Sequence, residues 1–99
     1  MTNEKTHIDI ELDESVAQGQ YANIVIISHS PTEFLLDFAA IMPGVEKTKV
    51  KSRIILAPEH AKRLLLSLQE NIARYESVMG PINIHQPGGN NTLNNIGEA

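Results

Sequence analysis

The stretch YANIVIISHSPTEFLLDFAAIM, residues 21–42, decides the fold. Its first half holds Ile24, Val25, Ile26 and Ile27 in succession, a β-branched run suited to a strand covered on both faces. A strand is expected over Tyr21–Ser28. The second half carries two patterns at once. Ser30, Pro31 and Glu33 fit a capping box with proline at the first helical position, and Phe34, Leu35, Phe38, Ile41 and Met42 would share one helix face. Yet Phe34, Leu36 and Phe38 also alternate around Asp37, and Ser30 with Pro31 equally suits a turn. The strand is the favoured reading of Ser30–Met42, because a hairpin gives the first strand an immediate antiparallel neighbour. The helix stands as its alternative.

On the N-terminal side, Ile8, Ile10 and Leu12 alternate with His7, Asp9 and Glu11, the period of a strand with one wet face. It reads as an edge strand, separated from the hairpin by the polar stretch Glu14–Gln20. On the C-terminal side, Pro43 and Gly44 break the pattern and Val45–Thr48 read as a loop. From Lys49 to Leu56 a fourth strand points Val50, Ser52, Ile54 and Leu56 one way and Lys49, Lys51, Arg53 and Ile55 the other. Pro58–Met79 reads as a helix: proline stands where a missing N–H costs least, and Gly80 with Pro81 stops it. Glu59 with Arg63, and Glu70 with Arg74, support it at i,i+4. Residues 82–99 are rich in asparagine and glycine and read as a disordered tail. The expectation is a single α+β domain over residues 1–81: a four-stranded antiparallel sheet followed by one long C-terminal helix.

Composition removes several classes of function. The 99 residues include no cysteine, which excludes disulfides, thiolate catalysis and cysteine-bound zinc. The formal charge of −4 disfavours a purely electrostatic grip on nucleic acid. An acidic first stretch without an apolar run is the reverse of a targeting leader, and no run suffices to span a bilayer. A cytoplasmic protein without membrane contact is expected. His7, His29, His60 and His85 lack metal-ligand spacing. Ser28, His29, Ser30 and Asp37 lack a nucleophile elbow and an oxyanion loop, and Gly88 with Gly89 precedes no helix. No catalytic, cofactor or metal site is expected.

Two patterns remain as candidate sites. Lys47, Lys49, Lys51 and Arg53 recur at every second position, a basic row that could meet an anion or the phosphates of nucleic acid. No aromatic residues interleave with them to stack on bases, and Asp9, Glu11 and Asp37 are available as partners. A solvated or paired face is the favoured reading, with a small nucleic-acid-binding regulator as the alternative. The second pattern is apolar. Ala61, Leu65, Leu68, Ile72, Tyr75 and Met79 form a helix stripe that suits the chain's own sheet or, through its heptad spacing, a helix pair. If that helix meets Ile24, Ile26, Phe34, Leu36, Phe38, Ile54 and Leu56, the opposite faces still carry Val25, Ile27, Leu35, Ala39 and Ile55. One helix cannot cover both. Val25, Ile27, Leu35 and Ile55 are therefore candidate self-association residues, and a homodimer or larger assembly is expected.

The series Tyr21-Ala22-Asn23-Ile24-Val25, His29-Ser30-Pro31-Thr32-Glu33-Phe34 and Ile55-Leu56-Ala57-Pro58-Glu59-His60-Ala61-Lys62 resembles a family of small prokaryotic proteins defined as a domain of unknown function, DUF3467. Leu36-Asp37-Phe38, Leu65 and Leu68-Gln69-Glu70-Asn71 extend the resemblance to about residues 21–80. It implies a short single-domain protein and brings no activity, cofactor or catalytic residue. Ala57 departs from a capping Ser or Thr. The functional expectation is a non-enzymatic, homo-oligomeric interaction module.

Overall fold

The computed structural model describes residues 7–85. Along them run α1 (Glu14–Ala17), β1 (Ile24–His29), β2 (Phe34–Ala39), β3 (Val50–Leu56) and α2 (Pro58–Met79). The chain divides into two units, Met1–Pro58 with the sheet and Glu59–Ala99 with the long helix. The three strands form one antiparallel sheet in the order β1-β2-β3. The class is α+β, with the antiparallel sheet and the long C-terminal helix expected from sequence.

The expected N-terminal edge strand is a correction. Ile8–Leu12 belongs to no strand; Ile8, Ile10 and Leu12 are 73%, 91% and 67% exposed. Alternation makes a segment able to pair, but the stabilisation lies in the pairing itself, which this segment does not make with the sheet among the described residues. Residues 82–85 have no regular structure, and the rest of the expected tail lies outside the described residues.

The ambiguous segment resolves as a strand, and Ser30 explains why both readings fitted. The hairpin places His29 opposite Phe34 across a four-residue loop, Ser30–Glu33. The Ser30 Oγ accepts from the Thr32 and Glu33 N–H groups at 3.2 Å each, and the Ser30 N–H donates to the Glu33 carbonyl at 2.9 Å. A serine that would cap a helix satisfies the same donors in a turn. Beyond Glu33 the alternation wins, because β2 gains ladder partners on both sides. The His29 and Phe34 rings stack across the hairpin, 5.3 Å between centroids.

The strands are shorter than expected, for visible reasons. Tyr21–Asn23 precede β1, and Asn23 closes its end with its side chain. Asn23 Nδ2 donates to the Ile41 carbonyl at 3.0 Å, and Oδ1 accepts from the Ile41 N–H at 2.7 Å. The amide thus stands in for a ladder pair. In β3, Phe38 lies opposite Ser52 but Ala39 opposite Val50, so Lys51 is an unopposed extra residue, a β-bulge. The bulge corrects the expected faces of β3 at Val50, while Ser52, Ile54 and Leu56 keep one face and Arg53 and Ile55 the other, as expected. Ala39 and Asp37 share a face, so Val50 lies with Arg53 and not with Ser52.

The helix ends as its sequence requires. Gly80 adopts φ +95°, and its N–H donates to the Glu76 carbonyl at 2.9 Å, the αL termination that disfavours any residue with a Cβ. The Ile82 N–H then donates to the Glu76 carboxylate Oε2 at 2.8 Å. On the helix surface, Arg63 reaches Glu59 at 2.7 Å and Arg74 reaches Glu70 at 3.9 Å, the two expected i,i+4 pairs.

Candidate assembly surfaces and the lysine cluster

Residues directly opposite in a ladder share a face, so the register sorts the sheet into two. The first face holds Val25, Ile27, Phe34, Leu36, Phe38, Ser52, Ile54 and Leu56. The second holds Ile24, Ile26, Ser28, Leu35, Asp37, Ala39, Arg53 and Ile55. This corrects the grouping expected from sequence, which put Ile24 and Ile26 with Phe34, Leu36 and Phe38. The hairpin loop sets the register, and four residues between His29 and Phe34 bring Val25 and Ile27 to that side instead. The four candidate self-association residues therefore divide: Val25 and Ile27 on the first face, Leu35 and Ile55 on the second.

Burial falls on the central strand. Among the described residues the buried hydrophobic ones are Leu36 on the first face and Ala39 on the second, at 6% and 1% exposure, and Asp37 is buried on the face of Ala39. Away from β2 the aliphatics stay open on both faces: Ile27 at 60% and Ile54 at 45% on the first, Ile26 at 51% and Ile55 at 55% on the second.

Asp37 is the charged residue of this centre. Arg53 lies directly opposite on β3. Its Nε donates to Asp37 Oδ1 at 2.7 Å and its Nη2 to Oδ2 at 2.8 Å, a two-pronged pair that fixes guanidinium and carboxylate in one plane. The hydrogen bonds from Arg53 hold the Asp37 carboxyl below its usual pKa, and Asp37 in turn raises that of Arg53. Asp37 is neither a base nor an orienter for His29. His29 pairs with Phe34 on the first face, whereas Asp37 pairs with Ile26 on the second.

The basic row divides likewise. Arg53 is committed to Asp37, while Lys47, Lys49 and Lys51 line one shallow depression of about 370 Å³ with Ala40, Met42 and Val45. The spacing of the lysines was legible; the capture of Arg53 depends on pairing between distant strands. A second depression of about 470 Å³ runs from Ser15, Val16 and Tyr21 to Phe38, Lys51, Ser52 and Ile54. The segment before β1 thus borders the first face beside β3. Among the described residues, no helix is long and apolar enough to cross a membrane, and no three His, Asp or Glu side chains gather as metal ligands.

The sequence profile of a family described as "Protein of unknown function (DUF3467)" matches residues 1–84. No curated protein and no solved structure matches the chain.

Proposed function

The chain belongs to the DUF3467 family of proteins of unknown function, and we propose that it works as a non-enzymatic interaction module of the cytoplasm that assembles with copies of itself. The observation that carries this reading is aliphatic exposure on both faces of one small sheet, at Val25, Ile27 and Ile54 on one side and Ile26 and Ile55 on the other. Withdrawing such a side chain fully from water contributes about 1.5 to 3 kcal/mol, and monomers rarely leave that much of it open. An identical sheet is the simplest cover, and a two-fold pair the commonest arrangement. Val25 and Ile27 would meet a partner on one face, Leu35 and Ile55 on the other. Light scattering of the Ile27→Lys chain tests it. The substitution is expected to lower the assembled mass or make the chain insoluble, and an unchanged mass at high concentration contradicts the reading.

A second reading rests on the lysines. Lys47, Lys49 and Lys51 share one depression and none is within ion-pair distance of an acid among the described residues. That supports a nucleic-acid contact. Its test is a titration with duplex and single-stranded DNA; binding that is undetectable at low salt, or that does not weaken as salt rises, ends it.

A further inference from the structure

Among the described residues the sheet has two unpaired edges, β1 and β3, and they differ in charge. The β1 edge, Ile24–His29, holds no Lys or Arg, whereas the β3 edge carries Lys51 at its bulge and follows directly on Lys47 and Lys49. Lysines and a bulge on an edge strand discourage pairing with an arbitrary strand. They admit a strand of opposite charge. The chain contains one: Ile8–Asp13 alternates aliphatic Ile8, Ile10 and Leu12 with acidic Asp9, Glu11 and Asp13.

From these features we propose that Ile8–Asp13 of one copy adds as an extra strand to the β3 edge of a second copy, its acids over Lys47, Lys49 and Lys51. The proposal rests on the self-assembly reading above and adds a contact at the β3 edge to the face contacts proposed there. The acids recur at every second residue of Ile8–Asp13, and Lys47, Lys49 and Lys51 follow one another along the chain that enters β3 and line one depression, so an extended Ile8–Asp13 laid on this edge meets all three lysines. The aliphatic residues fall on the other side of the added strand, where they exchange water for sheet surface. Both faces of the sheet offer it.

Three observations favour a second copy as the acceptor. Within one chain Ile8–Leu12 makes no backbone hydrogen bond to the sheet among the described residues, and the aliphatics of the segment stand open to water. Ser15 and Val16 line the same depression as Lys51 and Ile54, so the donor segment leaves the sheet beside the acceptor edge. Two copies can then exchange segments reciprocally around a two-fold axis, a closed arrangement that leaves no unpaired donor. Strand addition draws affinity from the main chain and specificity from the alternating side chains, which accounts for a lysine row with no stacking aromatics.

The test uses full-length chains with charges reversed. One carries Asp9→Lys with Glu11→Lys, a second Lys49→Glu with Lys51→Glu, and a third all four substitutions. Each of the first two should associate at least about tenfold more weakly than wild type, because like charges then face one another. Mixed in equal amounts they should associate again, and the fourfold variant should associate alone; this regain serves as the control for folding. High salt should weaken the wild-type assembly. A wild-type monomer overturns both this proposal and the self-assembly reading. An assembled wild type whose reversed variants assemble equally well, or whose mixed variants stay apart, overturns this proposal alone. So does a Lys49→Glu, Lys51→Glu chain that loses DNA binding and keeps its assembled mass.

Discussion

Ile27 is a side chain on which a lone sheet and an assembled one differ sharply. It is 60% exposed on β1, beside Leu36 at 6% on β2. In a lone chain, Ile27→Ala removes methyl groups of which less than half are withdrawn from water, so the loss is about 0.6 to 1.2 kcal/mol. Under a partner sheet the same substitution leaves a cavity and costs about 2 to 5 kcal/mol. Leu36→Ala costs about 2 to 5 kcal/mol in either case and calibrates the comparison. The assay is urea unfolding of wild type, Ile27→Ala and Leu36→Ala at two protein concentrations a hundredfold apart. A dimer that unfolds to monomers gains roughly 2.7 kcal/mol over that range by mass action. The expected result is an Ile27→Ala cost close to that of Leu36→Ala and a wild-type midpoint that rises with concentration. An Ile27→Ala cost below about 1 kcal/mol, with no concentration dependence, refutes the reasoning.

Three further outcomes are expected. The Asp37 carboxyl titrates lower in the fold than in the unfolded chain, so its contribution is present above the ordinary carboxylate pKa of about 3.9 and lost as pH falls through the lower folded value. Asp37→Asn should therefore destabilise near neutral pH, and its gap to wild type should narrow in acid, read from urea midpoints across that range. Ser30→Ala removes the acceptor of two turn N–H groups, but these are exposed and water replaces it, so the cost is about 0.5 to 1.5 kcal/mol with the assembled mass unchanged. Gly80→Ala forces a Cβ into φ +95° and should cost about 1 to 2 kcal/mol; circular dichroism on heating should show the helix lost earlier.

Local signals were legible in the sequence and non-local ones were not. The helix Pro58–Met79 could be read to its last residue because its start and stop are written in Pro58 and Gly80. The strand character of Phe34–Ala39 was visible beside a competing helix pattern, and only the partnership of β1 and β3 on either side decides between them. Ile8–Leu12 has the alternation of a strand without a partner in the chain's own sheet. Lys51 looks like any other member of an alternating row; that it is the unopposed residue of a bulge depends on Ala39 and Val50 across the ladder. The same holds for the candidate surfaces. Exposed aliphatics could be counted from sequence, but the face each one joins follows from the four-residue loop at Ser30–Glu33, and Arg53 leaves the basic row because Asp37 lies opposite it.

Self-assembly is the central claim, and sedimentation equilibrium of the wild-type chain over a wide concentration range tests it most directly. One chain weighs 10.9 kDa. The expected result is a mass of twice that value or a higher multiple, falling toward a single chain on dilution. A folded chain that sediments at 10.9 kDa throughout contradicts the account.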